Sequence, residues 1–366
     1  MPAAVQIKLD PWASDTDFAV HLSGDDHDAL APAPVDLAVE TAHWAAIDPP
    51  SDAAGADAAR AVPLVFIDGV RRIDARILAA TEANGPVAGL FGSYAVGALR
   101  ASDREPELIG HAAGRLLILG GGTEHPPLTL SLAGGGTLTY EPLAVPETEP
   151  EAALQALQTA MRRAEDELAR SLAAGTTGPP TGHPAALPAG ALIIADGPLA
   201  YLARTPTPLA GFVKSLHRAY LPSAAAALLP RLAIGQRTPI FAICDKNQRY
   251  SWYLRLGRGG PADHELAGIA RLECGSDAGI EAARAIADRS AAALVRAAST
   301  RERDPRSPQN LVPLGGLEHL LRHRLGDRAL TRRAITAHLA GSLAAASHAT
   351  AHRDTATPRG ARQEVR

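Results

Sequence analysis

At 366 residues the chain can bury one large core or two ordinary ones. Its formal net charge of -3 excludes a globally basic coat for nucleic acid, although a local basic groove remains compatible with it. No basic leader with an apolar run opens the sequence, and no apolar run reaches about 18 residues, so a cytoplasmic protein with no membrane span is expected. Aromatics make up only 4% and Ala is abundant, so Ala-rich stretches say little about structure. Lysine occurs three times (Lys8, Lys214, Lys246) against 33 arginines, which makes a lysine at a patterned position noteworthy. Cys244 and Cys274 lack metal-ligand spacing and read as buried thiols within strands.

Residues 1–60 form a weakly patterned N-terminal segment. Within it Val35–Ala46 suits a strand or short helix, and Glu40, His43 and Trp44 read as ordinary packing or surface groups. Ser51–Ala61 reads as a loop. Pro63–Ile73 (PLVFIDGVRRI) is different: five apolar residues run into Asp68-Gly69, the pattern of a buried strand ending in an acid at a sheet rim. Gly69 then allows either a sharp turn or a close approach of other groups. Residues 62–141 suggest a β-meander of four or five strands, in which VRRIDARILA pairs back on the first strand. The two triple-glycine stretches, Gly120–Gly122 and Gly134–Gly136, lack the GxxxxGK[ST] pattern and read as strand connections.

Leu154, Leu157, Met161, Leu168 and Leu172 repeat at three- and four-residue spacing and predict a helix over Glu149–Ala173. Pro150 and Glu151 suit its first turn. Glu165 falls on the apolar face, whereas Asp166 and Glu167 point elsewhere. A carboxylate there is costly to bury unless it is paired or binds a metal. Residues 174–190 form a Gly/Pro-rich linker, and Ala191–Ala200 (ALIIADGPLA) repeats the strand-Asp-Gly pattern at Asp196-Gly197. Phe212-Val213 leads into Lys214 and a short helix carrying His217, Arg218 and Tyr220. Strands are expected at PIFAI, YSWYLRLG and GIARLE, and helices over Glu281–Ala298 and Arg328–Ala346. The organisation expected is one domain over 61–346 and a disordered tail over 347–366.

Taken together, FIDGVRR, MRRAEDELARSL, LIIADGPLA, GFVKSLHRAYL and SPQNLVPLGGLEHLLRH resemble, in order and spacing over residues 60–340, the NurA nuclease family. The resemblance implies an α/β fold, an RNase H-like (Piwi-like) mixed sheet flanked by helices. It also implies a Mn²⁺-dependent DNA nuclease, a homodimer, and a HerA-type hexameric ATPase as partner in the end processing of DNA double-strand breaks. Carried over by position, the metal-binding acids are Asp68, Glu165 and Asp196, and Lys214 falls in the family's Gly-x-Val-Lys segment. For the last group, near the C-terminal helix, His319 is the nearest match, with Glu318 and Asn310 as rivals. The family's Asp-Gly-Ser is Asp-Gly-Val at the first copy and Asp-Gly-Pro at the second. That departure leaves a catalytically inactive adaptor on a DNA translocase as the alternative.

The residue types suit the chemistry. Phosphodiester hydrolysis needs an activated water and relief of negative charge, which two ions about 3.5–4 Å apart supply. Carboxylate oxygens favour Mn²⁺ or Mg²⁺ over Zn²⁺. Arg71, Arg72 and Lys214 follow strand ends where they can meet phosphate oxygens.

Overall fold

The computed structural model describes residues 34–50, 63–81, 85–102, 105–174, 187–199, 207–214, 218–245, 248–304 and 307–355. Residues 1–33, the whole of the expected loop at 51–61, most of the 174–190 linker and the end of the tail lie outside them. The fold is mixed α/β, with a large, mostly antiparallel sheet flanked by helices. Its strands are β1 Val35–Asp36, β2 Leu64–Thr81, β3 Gly85–Arg100, β4 Glu107–Leu119, β5 Leu128–Ser131, β6 Thr137–Ala144, β7 Leu192–Asp196, β8 Leu209–Val213, β9 Phe241–Ile243, β10 Arg249–Arg255 and β11 Ile269–Gly275. The main helices are α1 Pro150–Ala174, α2 Ile280–Ala297, α3 Val312–Arg324 and α4 Arg328–Thr355. Among the described residues, no helix is long and apolar enough to cross a membrane.

Where the sequence suggests one domain over 61–346, the chain forms two compact units, each assembled from separate stretches. The first holds Met1–Arg71, Tyr94–Ala113 and Gln158–Arg324. Its strands hydrogen-bond in the order β1-β9-β10-β11-β8-β7-β2, with β2/β7 and β7/β8 parallel and the pairs from β8 outward antiparallel. Alternation along β2 and β7 sends Leu64, Phe66, Leu192 and Ile194 to a core shared with Trp252 and α2. Val65, Ile67 and Ile193 face the opposite way, onto Met161, Leu168 and Leu172 of α1. The stripe read in the sequence is therefore the face that α1 buries.

Residues 34–50 of the N-terminal segment are better organised than their pattern suggests. Glu40 is no surface group: its carboxylate takes Arg237 Nη2 at 2.8 Å and the Ile240 N–H at 2.7 Å. Burial opposes the charge, yet Arg237 and that amide hold Glu40 below the ordinary carboxylate range. Trp44 donates Nε1–H to the Ala225 carbonyl and meets Phe241 edge-on. These long-range contacts leave no local periodicity to read. Cys244 lies just past β9 and is exposed, contrary to expectation, while burial pushes the Cys274 thiol up to about 12.

The second unit holds Arg72–Ser93, Gly114–Leu157 and Leu325–Arg366. Its strand order is β2-β3-β4-β6-β5, which departs from a meander because β6 inserts parallel to β4 and places β5 at the edge. Gly134, Gly135 and Gly136 all have positive φ and turn the chain between β5 and β6, so the glycine cluster is a connection as expected. Asp74 organises the interior: Oδ2 accepts Ser93 Oγ–H and the Tyr140 hydroxyl, the latter at 2.8 Å. Its Oδ1 accepts Arg72 Nε–H at 2.7 Å, and the same guanidinium binds the Leu325 and Gly326 carbonyls. Tyr140→Phe removes one of these bonds and is expected to cost about 1–2 kcal/mol, read from denaturant melts. Helix α4 runs past Ala346 to Thr355, because its Ala-rich sequence supports a helix without an apolar stripe.

Candidate functional site

Asp68 is not the last residue of a strand. β2 passes straight through Asp68-Gly69 and continues to Thr81, since VRRIDARILA prolongs the alternation instead of folding back. What ends at this point is the ladder with β7, which pairs Leu64↔Leu192 through Ile67↔Ala195. The next residues of the two strands are Asp68 and Asp196. Matched positions on parallel neighbours share a face, about 4.8 Å apart, so the register itself brings the two carboxylates together.

The two Asp-Gly pairs serve different purposes. Gly197 has φ 95° and bends the chain as β7 ends, a conformation that favours glycine. Gly69 stays within a strand, and a Cβ there would lie 2.4 Å from Glu165 Oε1 and 3.0 Å from Met161 Cγ. Its missing side chain is what lets α1 set Glu165 against the strand. Gly69→Ala is therefore expected to displace the Glu165 carboxylate and cost about 1–2 kcal/mol through overpacking. Adding Glu165→Ala should shrink that cost, a coupling measured by a double-mutant cycle.

A cavity of 230 Å³ is lined by Asp68, Gly69, Asp196, Glu165 and Asp166, together with Gln158, Arg162 and Glu318. Asp68 is 5% exposed. Its Oδ1 accepts the Gly69 N–H at 2.7 Å, whereas its Oδ2 is buried with no hydrogen-bond partner among the described residues. Asp196 Oδ1 is likewise buried and unpartnered, and Oδ2 accepts Lys214 Nζ at 2.8 Å. Desolvation, then the neighbouring Asp196, hold Asp68 well above the ordinary carboxylate range. The same two causes push Glu165 up to about 8. Burial works against the Lys214 charge, but Asp196 and Asp68 more than offset it and raise its pKa.

The structure thus brings Asp68, Glu165, Asp196 and Lys214 together in the first unit. Asp166 joins them at the cavity, contrary to the helical-face reading. A turn of about 100° per residue leaves both Glu165 and Asp166 within the arc that the cavity spans. His319 does not join them: it is exposed, its ring 5.1 Å from that of His323. Of the C-terminal candidates Glu318 reaches the cavity, one position back on α3, while Asn310 donates to Asp304 in the preceding loop. Arg72 is committed to Asp74 and two carbonyls within the second unit, and Arg71 donates to Gln158 at the cavity wall. The short helix expected after Lys214 is not seen at Arg218–Tyr220, and 215–217 lie outside the described residues.

One residue that pattern reading missed is Glu273 on β11, fully buried. It accepts the Leu199 N–H at 2.6 Å and so fixes the segment that follows Asp196. Arg271 and Arg249 hold it below the ordinary carboxylate range against the effect of burial. The available signal was a charged pair, Arg271 and Glu273, on one face of an otherwise apolar strand.

The donor set suits a hard cation: carboxylate oxygens, two of them buried and unpartnered, with no Cys or His at the cavity among the described residues. Among the described residues, no three His, Cys, Asp or Glu side chains stand close enough to form a metal site as they are. Asp68 and Asp196 instead line the cavity side by side, with Glu165 and Glu318 in the same lining.

No family model and no curated protein matches the chain. Among solved structures, it is similar to the NurA nuclease from Sulfolobus solfataricus, with a TM-score of 0.39 and 10% identity over 82% of this chain and 87% of that one. At that distance, what the site does must be read from its own residues.

Proposed function

We propose that the chain is a metal-dependent deoxyribonuclease of RNase H-like fold, using Mn²⁺ or Mg²⁺ at Asp68, Asp196 and Glu165. The observation that supports this best is the pair of buried, unpartnered oxygens, Asp68 Oδ2 and Asp196 Oδ1, on register-matched strands of one cavity. Burying carboxylates without partners is unfavourable, and a divalent cation is the ligand that reverses the cost. When bound, such an ion polarises a phosphodiester and activates a water.

The chain's own groups do the rest. Glu165, with a pKa of about 8, holds a proton at neutral pH and gives it up when positive charge arrives. Lys214 orients Asp196 and keeps its positive charge beside the reacting phosphate. Arg162 adds a second cation on the α1 wall of the cavity. Glu273 holds the segment after Asp196 in place.

The motif resemblance extends the proposal to a cytoplasmic homodimer that works with a HerA-type hexameric ATPase on the ends of DNA double-strand breaks. A net charge of -3 gives little long-range attraction for DNA, so a translocase that delivers the strand would replace affinity with effective concentration. The test is cleavage of linear single- and double-stranded DNA with Mn²⁺, Mg²⁺ or chelator, alone and with the ATPase and ATP. Cleavage only with a divalent ion supports the reading; cleavage undiminished by chelator, or none with either ion and the ATPase, overturns it. The mass of the protein in solution, alone and with the ATPase, tests the assembly.

A further inference from the structure

The number of ions the site takes depends on how its carboxylate oxygens are already engaged. Three parallel strands stand side by side in the order β8-β7-β2. Asp196 pairs in register with Phe212 of β8. Lys214 follows two residues later, so alternation returns it to the face that carries Phe212 and Ile194. Lys214, Asp196 and Asp68 thus form a row across three neighbouring strands. Lys214 stands one residue past the end of β8 and is held there by its 2.8 Å contact with Asp196 Oδ2.

Asp196, in the middle of the row, divides its oxygens. Oδ2 takes the Lys214 ammonium at 2.8 Å, and Oδ1 is left unpartnered. On Asp68, Oδ1 takes the Gly69 amide and Oδ2 is left unpartnered. One oxygen from each aspartate therefore remains for a cation, enough for one bridging position. A second ion on Asp196 would stand beside Oδ2, a few ångströms from the ammonium, where like charges repel.

Resting on the metal-dependent reading, we propose that this centre takes one divalent cation rather than two, and that the Lys214 ammonium stands where the second would be. Lys214 is then a substitute cation fixed by the fold.

The test is a Mn²⁺ titration of the full chain without DNA, with free Mn²⁺ followed by its electron paramagnetic resonance signal. The expected result is one Mn²⁺ per chain, bound at least tenfold more weakly by Asp68→Asn. Lys214→Ala should raise the number to two, and Lys214→Arg, which keeps the charge, should leave it at one. Far-UV circular dichroism checks that each variant folds, and Lys214→Gln serves in place of an alanine variant that does not. Two ions on the wild-type chain overturn the single-ion proposal and leave metal dependence standing. A single ion of unchanged affinity in both neutral variants overturns the role of Lys214. No bound Mn²⁺ on the wild-type chain overturns the metal-dependent reading along with this one.

Discussion

Asp68→Asn and Asp196→Asn are each expected to lower cation-dependent DNA cleavage by more than about 100-fold, the loss that even an outer-sphere partner of a metal can cause. Both acids stand where the β2/β7 ladder ends, and each offers one buried oxygen with no partner among the described residues. Asn keeps the shape and one carbonyl oxygen but removes the charge that attracts a cation. No apolar contact is lost, so the fold should persist, and for Asp68 it should gain stability because desolvation opposes the native charge. Cleavage of end-labelled DNA, with circular dichroism on the same samples, measures both effects. Wild-type rates in either folded variant would remove that residue from the site.

Glu165→Gln is expected to act in opposite directions on activity and stability. It removes a carboxylate from the cavity, so cleavage should fall by at least about 100-fold. In the cation-free protein it should also stabilise the fold. The Glu165 pKa rises from 4.5 in the unfolded chain to about 8 in the folded one. A raised carboxyl pKa contributes stability that is intact below 4.5 and lost as pH climbs through the window to about 8. At pH 7 the loss is on the order of 3 kcal/mol, from about 1.4 kcal/mol per unit of pKa. Glutamine does not ionise, so the variant and wild type should melt alike near pH 4 and diverge steadily above it. Glu167→Gln is the control: Glu167 is exposed and paired with Arg170 at 2.9 Å, so activity and stability should both stay near wild type. Equal behaviour of the two variants would show that Glu165 is not part of the site.

These effects oppose each other for one reason. The acids that make the cavity useful are buried at a cost to the metal-free fold, the pattern expected where stability gives way to function. Gly69 belongs to the same pattern. An alanine there would favour the strand intrinsically, yet it would push Glu165 out of place.

Local sequence determined much of this. The leucine and methionine spacing of α1 set its buried face, and the helix begins and ends within a residue of the pattern. Continuous apolar runs marked the core strands, and Asp68, Glu165, Asp196 and Lys214 were all legible as candidates. What the pattern could not supply was register and partner. That Asp68 lies within an 18-residue strand, that Gly69 makes room for Glu165, and that Glu318 rather than His319 reaches the cavity depend on contacts between distant segments. The same holds for the buried Glu40–Arg237 pair and for Glu273 gripping Leu199. Hydrophobic periodicity records which face of an element is buried, because burial acts on each residue alone. Which charged groups meet across that face is set by strand pairing and helix docking, and these join residues with no fixed spacing in the chain.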